Sequence, residues 1–176
     1  VFYFFLVYQF FMWFYSHKLS KILIINNITF VSLTLYPFFG MMVYYHTFSG
    51  KVFLMAVFLF LMLLVMDILK DILTKNADKI FGYTTIPNAF GTRNAVNVVV
   101  ALSVLLFTVS MLIISNTGIH SILPLYFAAG LFVIILSVYL LLSSVKKSNF
   151  IVLNILRIWV FVGIIAMLLD GIIERF

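Results

Sequence analysis

Residues 52–82 read VFLMAVFLFLMLLVMDILKDILTKNADKIFG. The first fifteen, 52–66, carry no charge. Asp67, Asp71 and Asp78 then arrive within twelve positions, in a chain with five acidic residues in all. An uncharged apolar run followed by mixed aspartates and lysines reads as a helix that crosses lipid and opens at a surface. Carboxylates at such a mouth are costly to desolvate, so they usually serve an ion or a polar substrate. This end of the segment is where chemistry is expected.

The rest of the chain agrees with a lipid solvent. Its 176 residues are 65% hydrophobic and 9% charged, against roughly 25% charged in an ordinary soluble domain. The mean hydropathy is +1.26. So much apolar surface cannot be hidden in one core of this size. With no cysteine, a disulfide framework, a thiolate metal site and a cysteine nucleophile are all excluded. The net charge of +6 is read as membrane topology, since basic residues gather on cytoplasmic loops; nucleic acid is not an expected partner. No Gly-rich phosphate loop, zinc-ligand spacing or heptad array is present.

Six apolar segments stand out, at about 1–16, 28–48, 52–72, 95–115, 122–145 and 150–172. Most have the 18 or more residues expected of a membrane helix, so the expected fold is all-α and polytopic. Pro37 falls inside the second segment, where neighbouring helices can satisfy the freed carbonyl. Gly130 and Ser137 mark positions of close helix contact. The chain starts at Val1 with no basic stretch before the apolar run, which is not a signal peptide. Residues 1–15, apolar except for Gln9, would span about 22 Å as a helix. The sequence is therefore expected to begin inside a longer gene product.

Basic residues alternate between loops. Lys18 and Lys21 lie in the first, Lys70, Lys75, Lys79 and Arg93 in or beside the third (73–94), and Lys146 and Lys147 in the fifth. Eight of the eleven thus share one side, expected to be cytoplasmic, with the acidic loop, in a bacterial or archaeal cell membrane. Asn27-Ile28-Thr29 matches a glycosylation sequon but falls on that side and is read as incidental.

Asp67, Asp71, Thr74 and Asp78 are separated by four, three and four residues. On a continuous helix all four project from one face. The plain reading is a solvated helix end whose acids pair with Lys70, Lys75 and Lys79. The chemical reading starts from repulsion between same-face carboxylates, which a divalent cation would remove. Mg²⁺ suits a few carboxylate oxygens together with substrate phosphates and retained waters, and flanking lysines would add charge for a diphosphate.

The run Asp71 to Asp78, Gly82, Thr85, Pro87 and Gly91 resembles the second aspartate-rich motif of the UbiA superfamily of intramembrane prenyltransferases, roughly D-x-x-D-x-x-x-D-x-x-x-G-x-x-T-x-P-x-x-x-G. Upstream, Tyr15-Ser16-His17-Lys18-Leu19-Ser20-Lys21 followed by Asn26 or Asn27 is similar to the family's Tyr-Ser…Leu-Lys-Arg…Gly-Asn stretch. The resemblance implies that residues 1–176 are part of a single transmembrane domain. Its six spans would be the fourth to ninth of a nine-helix bundle. The central aspartate of the pattern is Thr74 here, and Asp67 lies one turn earlier as a partial substitute. No N-x-x-x-D-x-x-x-D first motif occurs in the sequence, so this stretch alone is expected to be inactive.

The resemblance implies transfer of a polyprenyl group from its diphosphate to an acceptor. Asp71 and Asp78 are expected to be catalytic through Mg²⁺, with Asp67 and Thr74 as further ligands. Tyr15, Lys18, Lys21, Lys70 and Arg157 would contact the substrate. The acceptor is an aromatic ring or a glycerol-phosphate-type alcohol. The segment Gly82-Tyr83-Thr84-Thr85-Ile86-Pro87 resembles the geranylgeranylglyceryl-phosphate transferase branch. A transporter or a non-catalytic membrane subunit is the alternative, although a transporter would be expected to place polar groups at mid-membrane.

Other polar residues have plainer readings. Arg157 also suits a snorkelling position near the surface. Asp170, Glu174 and Arg175 read as a polar outer terminus, and His46 and His120 as interfacial residues. His17 lies on the acidic side without a clear base role. Rings such as Tyr36 or Tyr139 could line an isoprenoid pocket and favour a passing carbocation.

Overall fold

The computed structural model describes residues 2–117, 121–143 and 147–173. His120, Lys146, Glu174 and Arg175, named above, lie outside them. All regular structure described is helical: α1 (Phe2–His17), a 3₁₀ turn (Leu19–Lys21), α2 (Ile25–Tyr44), α3 (Gly50–Ile80), α4 (Ile86–Phe90), α5 (Thr92–Asn116), α6 (Leu123–Leu142) and α7 (Ser148–Ile173). Five of these, α2, α3, α5, α6 and α7, are long and apolar enough to cross a membrane, as in a multi-pass integral membrane protein. With 16 residues, α1 would extend about 24 Å, short of a hydrocarbon core of roughly 30 Å.

The decisive helix is α3. Ser49 caps its start, accepting from the Val52 amide at 3.2 Å. Its 31 residues extend about 46 Å, beyond the thickness of the hydrocarbon. The sequence pattern ended this span at 72, but the helix runs on to Ile80. The polar stretch there has no Gly or Pro before Gly82 and ties itself together across turns. Lys70 bonds Asp67 at 3.0 Å, and Thr74 bonds Asp78 at 2.9 Å. The end is a left-handed turn at Gly82, with φ of 73°. The Tyr83 amide donates to the Asp78 carbonyl and the Gly82 amide to that of Lys79, the double closure that a glycine in this position permits.

α3 packs against α2, α4, α5 and α7, and the chain of contacts continues from α5 to α6 and from α6 to α7. Met62, Leu69, Leu106, Ile113 and Phe127 are fully buried there, and the Phe58 and Phe127 rings meet edge to face at 5.0 Å. The outer surface is apolar too, with Leu125, Phe132 and Leu168 exposed, as expected of helices that face lipid. Gly130 does mark a close approach: a Cβ there would meet the Trp159 indole nitrogen at 3.2 Å. Trp159 stacks on Tyr126 at 4.8 Å, and Tyr126 in turn fills the space over Gly163. Ser137 is buried beside no hydrogen-bond partner.

α1 rests on α2 and the 3₁₀ turn. Tyr36 is sandwiched between Phe4 and Tyr8, with ring centroids 4.5 and 5.2 Å away, while Tyr139 points outward. Pro37 lies within α2. At the α6–α7 end, Asp170 is buried, accepting from the Ser121 hydroxyl at 2.7 Å and the Ile122 amide at 2.9 Å. It closes the start of α6, which corrects the reading of Asp170 as part of a polar outer terminus.

Candidate functional site

One polar cavity, of about 250 Å³, lies where the α1–α2 connection meets the far end of α3. Tyr15, Ser16, Ser20 and Asn26 line it from one side, and Lys70, Asp71, Asp78, Tyr83 and Thr85 from the other. The two sequence stretches singled out above, more than forty residues apart in the chain, therefore share a single cleft.

The α2–α3 contact explains why the acids sit where they do. α2 begins at Ile25 rather than 28, which places Asn27 in its first turn. Its side-chain amide donates to Asp67 Oδ2 and to Asp71 Oδ2, each at 2.8 Å. Asn27, Asp67 and Asp71 are all buried. One neutral donor thus holds two carboxylates against a neighbouring helix, and a charge-assisted bond of this kind is stronger than a neutral one. Asp67 gives its other oxygen to Lys70, so both of its oxygens are engaged. Lys70 is half-exposed and also lies 5.1 Å from the centre of the Phe30 ring, within reach of a cation–π attraction.

Asp71 and Asp78 line the cavity, and Asp67 does not. Asp67 supports the site from behind. Thr74 sits between the acids on the same face, accepted by the Lys70 carbonyl at 3.1 Å and by Asp78 at 2.9 Å. Tyr15 donates to Asn26 Oδ1 at 2.7 Å, joining the end of α1 to the start of α2. Lys18, Lys21 and Arg157 are exposed and absent from the lining. His17 bonds the Trp13 carbonyl at 3.0 Å, and its ring meets the Trp13 indole at a tilt of 37°, with centroids 4.7 Å apart.

Among the described residues no three His, Cys, Asp or Glu side chains gather as a ready metal-ligating group. The cavity offers two carboxylates, which is the number Mg²⁺ uses when phosphate oxygens and waters complete its octahedron. Asp71 and Asp78 are seven residues apart, about 10 Å along the helix. They therefore suit the two ends of an extended phosphate–metal assembly better than a single bare ion.

Sequence reasoning did not foresee the bridging role of Asn27 or the cavity positions of Tyr83 and Ser20. Their signal is weak, because a first-turn Asn and a loop Ser have many ordinary uses. No family model matches the chain, and no curated protein or solved structure matches it.

Proposed function

We propose that the protein is an intramembrane prenyltransferase of the UbiA type, which binds a polyprenyl diphosphate at the Asp71–Asp78 cleft and passes its prenyl group to an acceptor. The observation that carries this reading is the shared cavity. The Tyr15–Asn26 and Asp71–Thr85 stretches, paired beforehand only by resemblance, line one polar cleft at the end of apolar helices. In this reading the five long helices, with α1 as a sixth, belong to a nine-helix bundle. The cleft faces the cytoplasm of a bacterial or archaeal cell.

Mg²⁺, when bound, would supply positive charge for the departing diphosphate. Asp71 and Asp78, about 10 Å apart along α3, would hold separate ions rather than share one, and Lys70 would add positive charge for the same diphosphate. The C1–O bond of the allylic diphosphate breaks with its electron pair leaving on oxygen. C1 then bonds to the acceptor, whose proton passes to solvent. Apolar helix faces beside the cleft would keep water from the allylic cation. A glycerol-phosphate-type alcohol is the preferred acceptor, with an aromatic ring as the other candidate. A transporter is less well supported, because the acids cluster at one end of α3 and not at its middle.

The test is Mg²⁺-dependent prenyl transfer by the full-length protein in lipid nanodiscs. Asp71→Asn and Asp78→Asn should each lower transfer by at least about a hundredfold while leaving the folded yield intact. Full activity in both would remove the assignment. Orientation is tested by single cysteines at Ser20, Asn88 and Ser148. These should all label from the side opposite to a cysteine at Ser49, and a split between Ser20 and Asn88 would break the proposed topology.

A further inference from the structure

Two hydroxyl-bearing residues of the cavity lining, Ser20 and Thr85, are buried. Ser20 donates to the Ser16 carbonyl at 3.2 Å. The Thr85 hydroxyl has no hydrogen-bond partner, although the residue is only 2% exposed. A buried donor left unpaired costs free energy comparable to a lost hydrogen bond, so such groups call for an explanation.

The position of Thr85 makes this unpaired hydroxyl more telling. It stands at the N-cap of α4, in extended conformation, where a threonine side chain normally accepts from an amide in the first turn. That bond is not made. The backbone does the capping instead: the Thr85 carbonyl accepts from the Asn88 and Ala89 amides, both at 3.0 Å. The residue is fixed by its main chain while its buried hydroxyl stays uncommitted, at the wall of a cleft lined also by Lys70, Asp71 and Asp78. Neither carboxylate takes its proton. Of the other hydroxyls nearby, Tyr15 bonds Asn26 and Thr74 bonds Asp78, while Ser16 and Tyr83 are exposed residues whose hydroxyls water can satisfy.

We propose that the Thr85 hydroxyl is a binding donor for a phosphoryl oxygen of the diphosphate that enters this cleft. A hydroxyl has one proton to give and two lone pairs. Beside two carboxylates and a lysine, the group that profits from that proton is an anionic oxygen held at the site by a cation. This deepens the reading of the cleft as a diphosphate site and rests on it. Thr85 acts on binding of the ligand and takes no part in bond breaking.

The probe is inorganic pyrophosphate, titrated calorimetrically with and without Mg²⁺ against the protein in nanodiscs. Thr85→Val keeps the shape and removes the hydroxyl, and should weaken Mg²⁺–pyrophosphate binding roughly tenfold, the scale of a hydrogen bond to a charged group. Thr85→Ser restores the donor and should bind close to wild type. Since the side chain makes no capping bond, the thermal midpoint of Thr85→Val should be unchanged. If Val disturbs it, Thr85→Ala asks the same question without the branched side chain. Wild-type affinity in the Val and Ala variants, with binding lost in Asp71→Asn, would show that the hydroxyl meets only water and overturn the inference alone. Weaker binding of Mg²⁺ by itself in Thr85→Val would also overturn it, by making the hydroxyl a metal ligand. Unchanged binding in Asp71→Asn with weaker binding in Thr85→Val would keep the inference and remove the carboxylate from the diphosphate reading.

Discussion

Asp170 and Asp71 are both buried carboxylates in a chain of apolar helices, and they are treated very differently. Asp170 receives a hydroxyl and a main-chain amide on one oxygen, and so seals the start of α6 against the end of α7. Asp71 receives one amide proton from Asn27 and otherwise faces a cavity shared with Lys70 and Asp78. A charge buried in a membrane protein costs several kcal/mol, about 2.5–3.5 at a helix centre on insertion scales. At Asp170 local donors offset that cost within the fold. At Asp71 the fold supplies one donor and leaves the rest of the carboxylate to the cavity, which is what the proposed diphosphate site would require.

The sharpest way to break this contrast is to remove each carboxylate in turn. Asp71→Asn should abolish Mg²⁺–pyrophosphate binding while the thermal midpoint in detergent hardly moves. Asp170→Ala should do the reverse, lowering stability by about 1.5–3 kcal/mol because two donors lose a charged acceptor, with binding unchanged. Asp170→Asn keeps an acceptor oxygen and should recover most of that loss. Binding lost in Asp170→Ala, at a temperature where it remains folded, would erase the distinction between cap and site.

A smaller effect is expected at the residue that makes the Asp71 environment possible. Asn27→Ala removes the shared donor and leaves two carboxylates against α2, at a cost of about 1–3 kcal/mol. Removing Asp67 as well should relieve part of the loss. The coupling is read from a double-mutant cycle of Asn27→Ala with Asp67→Ala, and simple additivity would mean that the bridge contributes nothing.

The smallest effect concerns Thr74. Its hydroxyl now satisfies one oxygen of Asp78. Thr74→Asp would set a like charge there, to be relieved only by a cation. The variant should need less Mg²⁺ for half-maximal pyrophosphate binding, because ligand charge tunes divalent affinity. The same change should lower stability slightly in the absence of Mg²⁺. An unchanged Mg²⁺ requirement would place position 74 outside the reach of the metal.

Much of this was legible in the residues. Segments at 95–115 and 150–172 fall within α5 and α7 because long, strongly apolar runs have no other stable conformation in lipid. The helical face shared by Asp67, Asp71, Thr74 and Asp78 follows from spacing alone. The apolar segment ends at 72 before the helix does: hydropathy reports where lipid ends, whereas the helix of α3 continues to Ile80 on hydrogen bonds within polar residues. Lys18, Lys21 and Arg157 carry a suitable charge, but charge does not say which way a surface side chain faces, and all three stand outside the cleft.

The sequence by itself determined an all-helical chain with lipid as its solvent and one acidic helix face at a surface, since these depend on composition and on a period of 3.6 residues. Only the tertiary structure decided what each carboxylate does. Asn27 is forty residues from Asp67, and Ser121 is forty-nine from Asp170. Hydrogen bonds between side chains so far apart leave no local signature, because each partner satisfies its own helix whether or not the other is near. The packing of α2 on α3 and of α7 beside α6 turned similar aspartates into a backing residue, a cavity-lining residue and a cap.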